Sequence, residues 1–577
     1  MIFVFNNSKI NFKNPVLLSL ADSSNKNSTN VMRNIWSNKK FLKQKYNYLN
    51  NLNKKIISQL ANEYKKNFKL NYSLDFWKII FTPWISYFTF TIFDNYYNFE
   101  KAKLNKKVKE FYLAKNKIYD YIPEDYTQFA HLLKNDDYRF FLFSNVAMLS
   151  SRKKQKNKYT KLKLKNSKNI YLNGKFRDNN SIKQMTIFFS KIFLNRKDKK
   201  SLILDLPVNP IFKNSNYFKF IKKFLFIPFK YKNYGKNNNY NLRLRGKLKL
   251  NLNNNYFEKI LSKIIKYQIP CSILENLFKN IEFIKKKYPK NQKKISSSIS
   301  FWDDDLVKIW IALSIENKTK FFPRQHGGSY GTDLIHINEH LEKNIGHKFI
   351  SWGWKDKKVK ALPSIEQNLN FRKKEINLDS NFSLNSKDIL MIVSPANRYS
   401  KNIYSSPMGD EWYFHNKKIL NFSKNYSKIF KGNLVVRTLD YFESWNLTAN
   451  LKSISPKIKV VSRGKIQEQI KDFSLIIGTN PSTTMYDILI SGKPCIFFWE
   501  NKLWPSRPKA KKYFELLRKE KILFFDEKAA IKHLKTINKS KSDWWGDKKR
   551  QKAIQNFLNN FCVIKRDYLK IWNNFLN

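Results

Sequence analysis

The chain has 577 residues, more than a single hydrophobic core normally organises, so we expect at least two domains. Lysine and arginine outnumber aspartate and glutamate by 110 to 44, and the resulting net charge of +66 favours anionic partners. The sequence matches none of the RNP, zinc-finger or basic-zipper patterns, so we expect no nucleic-acid partner. The three cysteines are scattered, which excludes a disulfide framework and a Cys-x-x-Cys metal site.

The first long segments have helical patterns. Apolar residues recur three or four positions apart between 35 and 70, which predicts an amphipathic helix. Residues 76–96 are apolar on almost every face and contain Pro83. This segment is either a buried helix that Asp94 closes or, with the surrounding lysines, an in-plane membrane anchor.

The longest uncharged apolar stretch, residues 79–93, is shorter than the roughly 20 residues that a membrane-spanning helix needs. We therefore expect a cytoplasmic protein, with peripheral contact to an anionic inner membrane face as an alternative that its lysines allow. Residues 151–168 are rich in lysine and predict an exposed loop or a mobile helix. Residues 213–255 form a low-complexity insertion rich in asparagine, lysine, tyrosine and phenylalanine. A short strand is predicted at 201–207, helices at 256–288 and a helix at 304–315.

The most informative stretch is 321–354. An apolar, strand-like pair of phenylalanines leads into the loop His326-Gly-Gly-Ser-Tyr-Gly331. Four of the seven histidines and five of the fourteen glycines of the chain fall in this window. Because glycine lets the backbone approach a ligand closely, the loop is a candidate functional site.

The second half of the chain predicts a doubly wound parallel sheet. Near-continuous apolar runs, separated by helical segments, are typical of buried parallel strands. The prediction is a helix-rich N-terminal α/β domain over 1–365, a Rossmann-like domain over 385–535 and a C-terminal helical segment over 536–577. The runs are 388–394, 433–437, 457–461, 474–478, 494–499 and 522–525.

The fourth of these runs ends at Gly478 and is followed by a polar turn, a helix and the turn Gly492-Lys-Pro494. Ser482 or Thr483 can cap this helix, and its free N–H groups and positive dipole end are suited to holding phosphate. An ordinary capped helix is the alternative.

This strand, Ser/Thr-rich turn, helix and Gly-Lys-Pro turn resemble the donor-binding half of GT-B glycosyltransferases and of the polymerases that transfer glycerol phosphate. Over nearly its full length, the chain resembles bacterial transferases associated with O-antigen and other surface polysaccharides. Their sequences share QHGGxYG and a later TWGW-like element, which are here Gln325 to Gly331 and Ser351 to Trp354.

The resemblance implies an α/β fold of the GT-B kind, with two Rossmann-like domains and a helix-rich N-terminal extension. It also implies transfer of a sugar from a nucleotide-activated donor to a growing surface polysaccharide or a lipid-linked acceptor. It assigns no catalytic residue. Two alternatives are a polyol-phosphate transferase and a non-catalytic, membrane-peripheral protein that binds polyanions on the same fold.

Sugar transfer needs a base near the acceptor hydroxyl, and dipoles or cations that stabilise the departing diphosphate. His326 is the candidate base, with a loop-capping histidine as the alternative. Asp333 and Glu339, assigned with it to the catalytic set, are expected to orient it or to line the acceptor cleft. The candidates for acceptor binding are Tyr330, His340, Trp352 and Trp354, of which the tryptophans could equally be core residues.

For the diphosphate, Arg437 is preferred because the guanidinium can donate two parallel hydrogen bonds. Arg398 and Lys401 are second choices, and each arginine could instead form a surface ion pair. His336 and His340 are four apart but do not form an HExxH pattern, so neither a metal nor another cofactor is expected. The other candidates for donor binding are Gly327, Gly328, Asn480, Ser482, Thr483 and Thr484.

Overall fold

The structure is a computed structural model in which both halves of the chain are α/β, which confirms the predicted fold class. Parts of the predicted insertions, and most of the segment between the halves, lie outside the described residues. The described residues are 1–5, 15–19, 31–32, 35–151, 156–162, 194–195, 198–208, 214–229, 240–370, 388–394, 398–438, 445–462, 464–539 and 544–577.

The front half contains two parallel sheets and a short strand pair. The first sheet has the order β2-β1-β3-β4, and the second has the order β5-β6-β7. A bridge between Arg324 and Ile350 joins the second sheet to the pair β8-β9. The strands are β1 Ile2–Val4, β2 Val16–Leu17, β3 Glu110–Ala114, β4 Asn157–Thr160, β5 Ser201–Ile203, β6 Lys294–Ser297, β7 Lys320–Pro323, β8 Phe349–Ser351 and β9 Val359–Ala361.

Helices dominate the front half, as predicted, and two of them are long. The predicted helical region 256–288 forms two helices, and residues 269–276 turn between them. The helices are Lys39–Phe68, Leu74–Leu104, Tyr126–Leu132, Asp136–Ser150, Ser215–Phe224, Leu242–Lys247, Tyr256–Gln268, Leu277–Lys287, Ser300–Asp303, Asp305–Glu316, Ile337–Ile345 and Ile365–Asn370.

The Leu74–Leu104 helix is the centre of the front core. Protein covers it on nearly all sides, so the buried-helix interpretation is confirmed and the in-plane membrane anchor is wrong. It also continues beyond Asp94, whose carboxylate accepts a hydrogen bond from Trp36 Nε1 at 2.8 Å and pairs with Arg139 at 3.3 Å. Among the described residues, no helix is both long and apolar enough to cross a membrane.

The rear half contains one parallel sheet, and all six predicted strands are present. The strands lie in the order β12-β11-β10-β13-β14-β15. The chain adds strands toward one edge from β10 to β12 and toward the other edge from β13 to β15, so the strand order reverses between β10 and β13. In an open α/β sheet, ligands bind beyond the carboxyl ends of the strands at such a reversal. The strands are β10 Ile389–Ile392, β11 Leu434–Arg437, β12 Ile458–Val461, β13 Ile476–Gly478, β14 Cys495–Phe498 and β15 Leu523–Phe524.

The chain crosses between the halves more than once. After β10, residues 398–411 return to the front half, where Asn402 Nδ2 donates to Ser86 O at 3.1 Å. The last helix packs on the front half, and Trp572 Nε1 donates to Pro363 O at 2.7 Å. The rear helices are Glu411–Ile429, Leu447–Lys452, Ile466–Gln469, Thr483–Ser491, Pro508–Lys519, Glu527–Lys539 and Lys548–Phe561, and the last helix is Tyr568–Leu576.

Replacing Trp572 by Ala should lower the free energy of unfolding by about 3–5 kcal/mol, because it empties a buried site between the last helix and the front sheet. The measurement is urea unfolding followed by circular dichroism. Phe414→Ala is the matched control, since Phe414 is 53% exposed and its loss should change little. Equal destabilisation by both variants would contradict the assigned packing.

Candidate functional site

The glycine loop of the front half lies directly against the start of the Thr483–Ser491 helix of the rear half. Gly328 N donates to Thr483 Oγ1 at 2.8 Å, and Ser329 Oγ donates to Pro481 O at 2.9 Å. A Cβ atom on Gly328 would lie 2.4 Å from the carbonyl carbon of Ser482, which explains glycine at this position. The two candidate segments found in the sequence are therefore in contact.

This contact lies where the carboxyl ends of strands from both sheets meet. In the front half, β7 ends at Pro323 and leads into the loop. In the rear half, β13 ends at Gly478, and Thr479 Oγ1 donates to Ile392 O at the end of β10 at 3.1 Å. The glycine loop thus occupies the point of strand-order reversal, where the fold favours ligand binding.

Gln325 holds the loop in shape. It is fully buried, its Oε1 accepts hydrogen bonds from Trp352 N and Trp354 Nε1, and its Nε2 donates to Gly327 O at 2.8 Å. Gly331 has a φ of +74°, and a Cβ there would lie 2.6 Å from the ring of Trp354. Both indoles are buried, at 5% and 6% exposure. Both tryptophans pack in the core, so neither indole exposes the ring face that the predicted stacking on a sugar would need.

His326 is held by a buried carboxylate. Its Nε2 lies 3.2 Å from Glu342 Oε1 and 2.8 Å from the hydroxyl of Tyr330. The same carboxylate oxygen accepts hydrogen bonds from Trp302 Nε1 at 2.6 Å and from Tyr330 at 3.1 Å. Because an ionised carboxylate can only accept, we assign the proton of His326 to Nε2, which leaves Nδ1 as the nitrogen that can accept a proton from a ligand.

The imidazole of His326 is 23% exposed, whereas Glu342 is completely buried. Burial lowers the pKa of His326, but the adjacent carboxylate of Glu342 more than offsets this and raises the pKa above its ordinary value. Burial also raises the pKa of Glu342, against the attraction of His326. The pair is suited to accept a proton on Nδ1 and to stabilise the imidazolium that results.

The hydrogen-bond partners of His326 are not the predicted ones. Glu339 instead accepts two hydrogen bonds from Arg507, at 3.0 and 2.9 Å, and one from Gly331 N. Burial raises the pKa of Asp333 to about 8, with the charge of Arg507 opposing it. Glu339 thus joins the two halves. His326 is oriented by Glu342 and Tyr330, and not by Asp333 and Glu339 as predicted. Glu339 and Glu342 share one short helix, so sequence spacing could not distinguish them.

The neighbouring histidines have structural contacts. His336 Nδ1 caps the Ile337–Ile345 helix by accepting from Glu339 N, and burial lowers its pKa to about 3. Its ring lies 4.0 Å from that of Tyr330, which is itself buried. His340 packs edge-on against Tyr46 at 5.7 Å. Across the described ranges, no group of three or more His, Cys, Asp or Glu residues is placed to hold a metal ion.

The predicted diphosphate ligands are largely engaged by the protein. Arg437 donates to Gly464 O at 2.7 Å and to Gln469 Oε1, and Arg398 pairs with Asp136 at 3.1 Å. Ser482 is the N-cap residue of its helix, but its side chain makes no capping hydrogen bond.

The hydroxyl of Ser482 lies 2.7 Å from Thr484 Oγ1 and also donates to Asn480 Oδ1 at 3.4 Å. The predicted side-chain cap is therefore replaced by hydrogen bonds within the turn. Thr483 does not cap the helix either, because it is the first helical residue and its Oγ1 accepts from the glycine loop.

Two carboxylates that the sequence did not single out lie near His326. Asp205, just after β5, accepts hydrogen bonds from the backbone N–H groups of residues 298–300. Asp303 is the last residue of the helix after β6, and it is exposed. Desolvation raises the pKa of its carboxyl group, whereas the charges of Lys308 and His326 lower it. No local sequence pattern distinguishes either residue, because the strand ends that carry them come together only when the sheet forms.

A family model described as LIC12162 family transferase matches residues 6–576. The chain belongs to this transferase family. A sequence search of curated proteins finds no match to the transferase.

Several solved structures are similar to the transferase at low identity. A glycosyltransferase from Rickettsia africae is 13% identical, with a TM-score of 0.34 over 66% of this chain and 98% of that one. An O-GlcNAc transferase from Thermobaculum terrenum is 10% identical, with a TM-score of 0.29 over 68% and 73%. A UDP-GlcNAc 2-epimerase from Neisseria meningitidis, bound to UDP-GlcNAc, is 11% identical, with a TM-score of 0.27 over 52% and 87%.

Gly328→Ala should lower both the melting temperature and the activity of the transferase, because the added methyl group collides with the backbone of Ser482 and Thr483. The measurements are thermal unfolding and substrate turnover. Gly246→Ala is the control, since nothing lies within 4 Å of its added Cβ and alanine favours the helix there by up to about 1 kcal/mol. A Gly328→Ala protein that behaves like this control would refute the close packing of loop and helix.

Proposed function

We propose that this transferase is a glycosyltransferase that moves a sugar from a nucleotide-activated donor to a growing surface polysaccharide or a lipid-linked acceptor. The observation that supports it most is the contact between the loop that carries His326 and the start of the Thr483–Ser491 helix, at the strand-order reversal of the rear sheet. In this proposal, His326 supplies a base from the front half, and the start of the helix supplies a phosphate-binding edge from the rear half. Their contact allows both to act on one substrate.

His326 acts as the general base in this proposal. Nδ1 takes the proton of the acceptor hydroxyl while the oxygen attacks the anomeric carbon of the donor. Glu342 fixes the ring through Nε2 and stabilises the imidazolium, as the carboxylate of a Ser-His-Asp triad does for its histidine. The bond between the sugar and the diphosphate breaks, and the diphosphate leaves with the bonding electrons.

The developing charge on the diphosphate falls at the edge of the rear sheet. The Thr483–Ser491 helix begins at this edge, and the positive end of its dipole favours an anion there. In this proposal the helix dipole stabilises the charge of the leaving diphosphate, and the reaction proceeds without a metal cofactor. We place it in the cytoplasm, at the inner face of the membrane when the acceptor is lipid-linked.

His326→Ala should lower the rate of sugar transfer by about 10²- to 10⁴-fold, because it removes the proposed base. The measurement is transfer of radiolabelled sugar from a panel of nucleotide sugars, with circular dichroism to confirm folding. His347→Ala, an exposed histidine of the same half, is the control and should retain full activity. Calorimetry with nucleoside diphosphates tests the donor site, and a wild-type protein that binds none of them would end the proposal.

Glu342→Gln should shift the acid limb of the pH profile of kcat/KM to lower pH. The carboxylate raises the pKa of His326, and the base works only when neutral, so activity falls as pH drops through that pKa. Removing the negative charge lowers the pKa and extends activity to more acidic solutions. The maximal rate should also fall, because the imidazolium loses its partner. An acid limb that stays in place would show that Glu342 does not control the base.

A further inference from the structure

Trp302 lies between the buried core of the front half and the carboxylate that holds the proposed base. Its side chain is buried and stacks on Tyr87 of the Leu74–Leu104 helix, with ring centroids 6.0 Å apart and an interplanar angle of 20°. Its backbone N–H donates to Ile299 O at 2.8 Å, where the short Ser300–Asp303 helix begins. Contacts on the ring and on the backbone thus fix the direction of the indole N–H.

The indole N–H of Trp302 is directed at a crowded carboxylate oxygen. Trp302 Nε1 donates to Glu342 Oε1 at 2.6 Å. The same oxygen lies 3.1 Å from the hydroxyl of Tyr330 and 3.2 Å from His326 Nε2. One carboxylate oxygen has two lone pairs, so these three donors compete for it. Glu342 Oε2 is buried and, among the residues that the structure describes, has no hydrogen-bond partner, so the donors that stabilise the negative charge all meet at Oε1.

This competition affects the base. A hydrogen bond to the ionised form of an acid stabilises that form, so the bond from Trp302 makes Glu342 a weaker acceptor for His326. Without it, the carboxylate is less stable before the imidazole is protonated and holds the imidazolium more strongly afterwards. Because Glu342 and His326 titrate as a pair, the pKa for their first proton rises whichever of the two residues takes that proton.

We propose that Trp302 is a positioning residue, whose hydrogen bond to Glu342 Oε1 directs this carboxylate and limits its hold on His326. The inference rests on the proposed glycosyltransferase function, in which His326 is the base. It adds a second, opposing contact to that function: the carboxylate favours the imidazolium, and the indole restrains the carboxylate. His326 can then stay neutral, and so accept a proton, at a lower pH than it could beside an unrestrained carboxylate.

Other titratable groups act on this pair, and a change at Trp302 leaves their charges in place. Two are carboxylates that raise the pKa of His326, one is a histidine that is neutral because its pKa is about 3, and two are tyrosines that burial keeps neutral. They are Asp205, Asp303, His336, Tyr87 and Tyr404. On the helix of Glu342, Glu339 is paired with Arg507. A shift of the His326 pKa in a Trp302 variant therefore reports on the lost hydrogen bond.

The direct test is the pKa of the His326 imidazole, measured by NMR titration of the full-length protein with ¹⁵N-labelled histidine. The loss of one signal in His326→Ala identifies the resonance. Trp302→Phe removes the N–H donor and keeps an aromatic ring, and we expect it to raise this pKa by roughly half a unit to one unit. Circular dichroism checks that the variant folds.

Trp310→Phe is the matched control. It makes the same change at an equally buried indole, but Nε1 of Trp310 donates at 2.9 Å to the backbone carbonyl of Pro289 instead of to a carboxylate. This variant should leave the pKa of His326 unchanged. A readout in the wild type avoids any loss of folding: the indole N–H signal of Trp302, assigned by its contact with Tyr87, should shift with pH at the midpoint of His326.

Sugar transfer gives a readout that a merely structural role would not move. In Trp302→Phe, the acid limb of the pH profile of kcat/KM should shift to higher pH by the same amount as the pKa of His326, opposite to the shift expected for Glu342→Gln. Activity falls as pH drops through the pKa of the base, so the loss should be largest in acid and should disappear well above the limb. A structural defect would instead lower kcat at every pH.

The outcomes separate this inference from the proposed function. A His326 pKa that is unchanged or lowered in folded Trp302→Phe, an equal rise in Trp310→Phe, or a wild-type Trp302 signal that ignores the titration would each overturn the inference. A pKa that rises as expected in a protein that transfers no sugar would keep the action of Trp302 on the pair and end the proposed function.

Discussion

The approach of the glycine loop to the start of the Thr483–Ser491 helix is the constraint on which the site depends. At Gly328 there is no room for a side chain, and the backbone of the front half donates directly to a hydroxyl of the rear half. The ion pair between Glu339 and Arg507 reinforces this junction. The relative position of His326 and the rear sheet is therefore set by main-chain contact as well as by side chains.

A buried charge shapes the chemistry on the front side of that junction. Glu342 has no access to water, and it is acceptable there because Trp302, Tyr330 and His326 all contact one of its oxygens. Such a carboxylate raises the proton affinity of the imidazole and also fixes which ring nitrogen faces the cleft.

Much of the fold could be predicted from local pattern. Apolar runs located every strand of the rear sheet, because a buried parallel strand needs an unbroken apolar sequence. The same argument recognised the apolar segment around Trp84 as a buried helix. Its end could not be predicted, because the partners of Asp94 within the helix region, Trp36 and Arg139, are distant in the sequence.

The sequence by itself determined the parallel sheet, the two segments of the site and the identity of His326 as the candidate base. Only the tertiary structure decided that Glu342, instead of Glu339, holds that histidine, and that the tryptophans of the second motif are core residues. The physical reason is that periodicity reports which residues are buried along one element, whereas hydrogen-bond partners depend on which strand ends and loops the packing of the sheets brings together.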